Sequence, residues 1–258
     1  MEKVRLGKTD MMVPKLGFGG IPIQRVSEDD AVSVVRKCLE LGINFIDTAN
    51  AYTTSEERIG KAISGRREEL IVATKTLGRT RDAVENHLRL SLKRLGTDYI
   101  DLYQQHWPVP ETPVEESMAA LEKLLKDGKI RAAGVSNFSV ELIEAARNVV
   151  PIASVQPPYS MLNRGIENDI LPYCRENNIG VIVYSPLQRG LLTGKVTMDR
   201  TFPETDHRHD SPYFRPENRK RVLDFLEKLK PIAEAHDATL AQLVINWTIH
   251  RPGITAAL

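Results

Sequence analysis

Residues 99–135 read YIDLYQQHWPVPETPVEESMAALEKLLKDGKIRAAGV and contain one complete strand–helix–strand unit. Its ends, Tyr99–Tyr103 and Ile130–Val135, are short and mostly apolar, which is typical of strands buried on both faces. Between them an apolar stripe at helical spacing ends at Gly128 and predicts a crossover helix. The stripe comprises Val114, Met118, Leu121 and Leu125.

The same alternation of apolar runs and helical stripes extends along the chain in both directions. Eight such units predict parallel strands that close into a (β/α)8 TIM barrel, a single domain of residues 1–258. An open doubly wound sheet is the alternative. A hairpin of Val4–Gly7 and Met11–Val13 precedes the first unit. The predicted strands are Leu16–Gly20, Asn44–Ala49, Leu70–Thr74, Tyr99–Tyr103, Ile130–Val135, Ile152–Val155, Val181–Tyr184 and Ile254–Leu258.

The composition excludes several classes of protein. Lys plus Arg total 35 and Asp plus Glu total 34, so no basic excess points to a nucleic acid or an anionic membrane. The cysteines Cys38 and Cys174 are too few for a disulfide framework, which indicates a reducing compartment. The first residues lack the apolar core of a signal peptide, and we therefore expect a cytoplasmic protein.

Polar side chains gather at the ends of three consecutive predicted strands. Asp47 lies near the end of the second strand, and Tyr52 lies in the loop that follows. Lys75 ends the third strand, and His106 follows the fourth. Because the carboxyl ends of barrel strands meet at one mouth, we expect these four side chains to lie close together.

This combination suits proton transfer to a carbonyl oxygen. A phenol has a pKa of about 10, and the ammonium of Lys75 would lower the pKa of Tyr52. Asp47 would pair with Lys75 and keep it charged and in place, and His106 would either hydrogen-bond the substrate oxygen or tune the tyrosine. A hydride would have to come from a cofactor. Taken singly, the four residues also suit ordinary roles: a turn cap, a packing ring, a solvated strand end and a buried histidine.

Four longer segments carry a resemblance to a known family. They are Gly42–Tyr52, Ile71–Lys75, Asp98–His106 and Ile130–Phe138, and they follow one another in the family's order. Over nearly its whole length the chain resembles the aldo-keto reductases. The resemblance implies a (β/α)8 barrel with an N-terminal hairpin at its base, and reduction of small aldehydes or ketones with NADPH. It implies Tyr52 as general acid, supported by Asp47, Lys75 and His106, and a substrate that touches Tyr52, His106 and Trp107.

The resemblance also assigns cofactor contacts residue by residue. It places the nicotinamide carboxamide at Ser136, Asn137 and Gln156, and the ring face at Tyr184. The other implied contacts are Gly19, Asp47, Ser185, Leu187 and Lys195. In the family, a loop and helix after the eighth strand contact the adenosine and its 2′-phosphate. The sequence ends at Leu258, so we expect this C-terminal end to be missing, and NADH is not excluded.

Other functions are also open. A nicotinamide-binding regulatory subunit with slow or no turnover would share the fold. A lyase or isomerase using a Lys75 Schiff base is a third hypothesis, which the nearby Asp47 disfavours. No G-x-G-x-x-G or Walker A motif is present. His207 and His209 lack further ligand spacing, so we expect no metal site.

Overall fold

The computed structural model describes residues 1–109 and 112–258. The observed strands match the predicted ones to within a few residues. They are β1 (Lys3–Arg5), β2 (Met12–Pro14), β3 (Phe18–Gly19), β4 (Phe45–Asp47), β5 (Ile71–Thr76), β6 (Ile100–Gln105), β7 (Ile130–Ser136), β8 (Ile152–Gln156), β9 (Gly180–Val183) and β10 (Ala256–Ala257).

Several helices begin at a residue whose side chain caps the helix. The side chains of Ser27, Thr80 and Ser139 accept backbone N–H bonds at the starts of their helices. Of the helices in the described ranges, none is both long and apolar enough to cross a membrane. The α-helices are α1 (Glu28–Glu40), α2 (Ser55–Ile63), α3 (Arg81–Leu95), α4 (Val114–Lys126), α5 (Val140–Arg147), α6 (Ile170–Asn177), α7 (Pro216–Ala235) and α8 (Leu240–Ile249).

Strands β3 to β10 form one sheet in sequence order, and every neighbouring pair is parallel. The two edges of this sheet meet through a parallel bridge between Leu16 and Ala257. Gly17 N–H donates to the Ala257 carbonyl at 2.8 Å, and Ala257 N–H donates to the Lys15 carbonyl at 2.9 Å. The sheet is therefore a closed (β/α)8 barrel, as predicted, and the open doubly wound alternative is wrong.

The N-terminal hairpin closes the amino end of the barrel. Leu6, Met11 and Val13 are buried in one apolar cluster with residues near the starts of seven barrel strands. Gly7, between β1 and β2, has a φ of +53°, and a Cβ there would lie 2.5 Å from the Ala153 carbonyl oxygen. Only a glycine fits both the left-handed backbone and this close approach. The barrel members of the cluster are Phe45, Ile71, Ala73, Leu102, Ala132, Ala153, Ile182 and Ala256.

The described chain divides into two compact units. The first unit comprises 1–157, 165–184 and 253–258, and it contains the barrel strands. The second comprises 158–164 and 185–252, with α7 and α8, and it has an apolar cluster of its own that includes Leu191, Phe214 and Val244. That 1–258 form a single domain stays a prediction.

We expect Gly7→Ala to lower the free energy of unfolding by about 2–4 kcal/mol, because left-handed backbone strain and overpacking act together. Gly42→Ala is the matched control, since Gly42 has a φ of +81° and nothing lies within 4 Å of an added Cβ. The free energy of unfolding of Gly42→Ala should fall by only about 1–2 kcal/mol, which is the cost of the left-handed backbone alone. Urea denaturation measures both values, and equal losses would contradict the close approach at Gly7.

Candidate active site

A buried ion pair lies at the carboxyl ends of β4 and β5. Asp47 pairs with Ala73 in the parallel register, and the two-residue period of a strand puts Lys75 on the same face. Lys75 Nζ donates to Asp47 Oδ1 at 2.5 Å and to the Thr48 carbonyl at 2.9 Å. Asp47 is 3% exposed and Lys75 is 1% exposed. An ammonium held in this way is not available as the free amine that a Schiff base needs.

Two glutamines satisfy the second oxygen of Asp47. Gln156 Nε2 donates to Asp47 Oδ2 at 2.9 Å, and Gln104 Nε2 donates to the same oxygen at 3.3 Å. Gln156 was predicted as a cofactor contact, whereas the sequence analysis missed Gln104. The available signal was its position two residues before His106, at the end of the fourth predicted strand.

Tyr52 and His106 meet edge to face at this mouth. Their ring centroids are 5.6 Å apart at an interplanar angle of 78°, and Lys75 Nζ lies 5.4 Å from the centroid of the Tyr52 ring. Tyr52 is set by a turn, because its N–H donates to the Ala49 carbonyl and its carbonyl accepts from Ser55 N–H at the start of α2. The structure therefore brings together the four residues predicted to be catalytic.

Burial controls the protonation of both rings. It raises the pKa of the Tyr52 phenol well above its usual value, and the charge of Asp47 acts in the same direction. The net shift is therefore opposite to the lowering that we predicted from Lys75 alone, because burial and the carboxylate dominate. Burial, followed by the charge of Lys75, lowers the pKa of His106 to about 4. At neutral pH the site thus presents a protonated phenol and a neutral imidazole.

The predicted carboxamide contacts form one hydrogen-bonded network. Ser136 Oγ donates to the Gln156 carbonyl at 2.8 Å, and Asn137 Nδ2 donates to Ser136 Oγ at 3.0 Å. Tyr184 Oη donates to Asn137 Oδ1 at 2.9 Å. Asn137 also donates to the His106 carbonyl at 3.1 Å, which links this network to the ring pair. The backbone of Asn137 is left-handed, with a φ of +63°.

The donor set fits a nicotinamide. Side-chain amides and a hydroxyl suit the N–H and C=O groups of a carboxamide, and the half-buried ring of Tyr184 offers a flat aromatic face. Gly19 lies beside Asp47 in the β3–β4 register. Cofactor contact at Gly19 stays a prediction.

The other predicted cofactor residues belong to the second unit. Ser185 has a left-handed φ of +59°, Leu187 packs against that unit's apolar cluster, and Lys195 is exposed. A short 3-10 turn, Leu191–Thr193, lies between Gly190 and Gly194, both of which have left-handed backbones. Cofactor contact at Ser185, Leu187 and Lys195 stays a prediction.

Trp107 follows His106 directly, and its side chain is 49% exposed. It lines a cavity of about 440 Å³ that runs past the starts of α4 and α5. Its predicted contact with substrate is untested. In the parts of the chain that the structure covers, no cluster of three or more His, Cys, Asp or Glu could hold a metal ion.

Comparison with known proteins identifies the family. A family model described as the Aldo/keto reductase family matches residues 15–258. The aldo-keto reductase YhdN of Bacillus subtilis (strain 168) is 38% identical over 282 residues, which cover 100% of this chain and 84% of that protein. The NADH-specific methylglyoxal reductase of Escherichia coli (strain K12) is 33% identical, and the match covers 100% of this chain and 89% of the relative.

A solved structure agrees with these sequence matches. The glycerol dehydrogenase AKR11B4 from Gluconobacter oxydans superposes with a TM-score of 0.94 at 34% identity, covering 99% of this chain and 85% of that one. The barrel, the hairpin and the family match thus point the same way. The chain therefore belongs to the aldo/keto reductase family and is an NAD(P)H-dependent oxidoreductase.

Proposed function

We propose that this protein reduces aldehydes or ketones to alcohols with NADPH, using Tyr52 as the general acid. The observation that carries the proposal is the buried Asp47–Lys75 ion pair, whose ammonium lies 5.4 Å from the ring of Tyr52. A phenol beside a fixed ammonium can give up its proton to a developing alkoxide, because the ammonium stabilises the phenolate that results.

The bound nicotinamide would supply the hydride. Ser136, Asn137 and Gln156 would hold its carboxamide, and the ring of Tyr184 would cover one face. Ser185, Leu187, Lys195 and Gly19 would complete the contacts. NADH is not excluded, because the name of one relative specifies NADH.

The chain's own residues handle the proton. As hydride reaches the carbonyl carbon, the C=O π electrons move to oxygen, and the oxygen takes the proton from Tyr52 Oη. Neutral His106 would donate a hydrogen bond to the same oxygen and fix its position. The phenolate of Tyr52 then regains a proton from solvent. The same steps in reverse oxidise an alcohol, which is the direction of reaction that the name of the glycerol dehydrogenase describes.

A second candidate is a nicotinamide-binding regulatory subunit with slow or no turnover. The observation that favours it is the raised pKa of Tyr52, since a more weakly acidic phenol is a poorer proton donor. NADPH oxidation with and without an aldehyde separates the candidates. Turnover that requires the aldehyde supports the reductase, whereas tight NADPH binding without turnover supports the subunit.

A reducing compartment such as the cytoplasm suits the free thiols of Cys38 and Cys174.

A substrate of small size is in keeping with the names of two relatives, which specify methylglyoxal and glycerol. We therefore propose methylglyoxal and an aromatic aldehyde as the first two substrates to assay.

We expect Tyr52→Phe to lower kcat/KM for aldehyde reduction at least about 100-fold, because the general acid is lost. NADPH binding, followed by quenching of tryptophan fluorescence, should stay near the parent value. Tyr99→Phe is the control, since the ring of Tyr99 packs under Arg67 at 4.2 Å and takes no part in the proposed site. Reduction near the parent rate in Tyr52→Phe would rule out the acid assignment.

The low pKa of His106 predicts a pH-dependent stability. An unfolded histidine with a pKa of 6.5 binds a proton that the folded imidazole, with a pKa of about 4, excludes. The unfolding free energy should therefore fall as the pH drops from about 6.5 towards 4. Above a pH of about 6.5, the contribution of His106 to this free energy should be constant. Denaturation series at several pH values, with His106→Asn as the comparison, test the prediction. An unchanged slope in His106→Asn would contradict it.

A further inference from the structure

Gln104 reaches the catalytic ion pair from β6. Its side chain is fully buried, and its Nε2 donates to Asp47 Oδ2 at 3.3 Å, on the carboxylate oxygen opposite the one that Lys75 binds. None of the sequence motifs singled it out. Gln104 is therefore a direct partner of the residue that holds the catalytic ammonium.

The cost of burying Gln104 calls for an explanation. Its Oε1 is buried and has no hydrogen-bond partner among the described residues. An unpaired buried carbonyl destabilises a fold, so an apolar side chain of similar length would be the better choice for stability alone. Because this carbonyl contributes nothing to stability, the contact of Gln104 Nε2 with Asp47 is the interaction that distinguishes the residue.

The neighbouring strand leaves space for this side chain. A Cβ on Gly134 of β7 would lie 3.1 Å from Gln104 Cγ and 2.6 Å from Ser154 Oγ. Any larger residue at Gly134 would push against Gln104. The absence of a side chain at Gly134 thus lets Gln104 extend across the barrel interior to Asp47.

Gln104 and Gln156 both donate to Asp47 Oδ2, but their other hydrogen-bond partners differ. Gln156 is the proposed partner of the nicotinamide carboxamide, so it has two partners to satisfy. Among the described residues, the side chain of Gln104 donates a hydrogen bond to Asp47, and its Oε1 has no partner. Gln104 is therefore the donor whose effect on Asp47 does not depend on how Gln156 engages the cofactor.

We infer that Gln104 is a positioning residue for proton delivery: it fixes the Asp47 carboxylate, which fixes Lys75 beside Tyr52. This inference rests on the proposed function, because it acts through the general acid named there. Substitution of Gln104 should therefore change kcat rather than the affinity for substrate. Gln104 acts on the proton donor through Asp47 and Lys75, and it does not touch the carbonyl compound.

The first test compares two identical substitutions at adjacent positions. Gln104→Met keeps the length of the side chain and removes its donor, and it should lower kcat about tenfold with KM little changed. Its thermal midpoint should stay within about 3 °C of the parent, because removing the unpaired carbonyl offsets the lost bond. Gln105→Met is the control. Gln105 is also buried with an unpaired Oε1, but it donates to the Trp107 carbonyl instead of Asp47.

The second test uses Gln104→Glu and a pH profile. When protonated, the introduced carboxyl can still donate to Asp47, whereas its ionised form repels that carboxylate. Two neighbouring carboxyls share one proton, so kcat should approach the parent value at acidic pH and fall as the pH rises. A role in packing alone would not produce this additional pH dependence.

The outcomes separate this inference from the proposed function. Aldehyde reduction that survives Tyr52→Phe overturns the proposed function, and the inference falls with it. Reduction that depends on Tyr52 but is unchanged in Gln104→Met, or a Gln104→Glu profile parallel to the parent, overturns the inference alone. A large loss of thermal stability in Gln104→Met, which is readable without any substrate, shows a structural role and also overturns it.

Discussion

The buried pair of Lys75 with Asp47 is the interaction on which the rest of the site depends. Taking either ion out of water costs several kcal/mol, and their attraction offsets this only when the remaining donors and lone pairs are bonded. Here the Thr48 carbonyl accepts from the ammonium, and Gln104 and Gln156 donate to the second carboxylate oxygen. The register of β4, β5, β6 and β8 is therefore tied to one charge pair, since a slip in any strand would leave a buried ion short of a partner.

The two ends of the barrel divide stability from chemistry. At the amino end, apolar side chains of the hairpin fill the opening and pack against strand residues. At the carboxyl end, buried polar groups replace apolar ones and are kept in place by hydrogen bonds. An apolar plug tolerates small changes of shape, whereas each buried polar group depends on particular hydrogen-bond partners. The hairpin thus packs at the end of the barrel opposite the mouth.

The barrel and its four convergent side chains were predictable from the sequence, because apolar runs alternate regularly and strand ends must meet at one mouth. The role of Gln104 was not, since its contact with Asp47 is set by how three neighbouring strands pack around Gly134. The direction of the pKa shift at Tyr52 was also missed. The sequence shows that Lys75 is near, but it does not show how far burial and Asp47 outweigh that charge. The division into two compact units was not predictable either, because no change in composition along the sequence marks their boundary.

The raised pKa of Tyr52 is compatible with an acid role once the base is considered. An alkoxide is a much stronger base than a phenolate, so the transfer stays favourable even from a weakly acidic phenol. The same shift keeps the phenol from ionising before hydride arrives, when no base is present to take its proton. What then limits proton delivery is the stability of the phenolate left behind, beside the charge of Asp47. That stability depends on where the Lys75 ammonium is held, and its position is set by Asp47 and the glutamines that bind it.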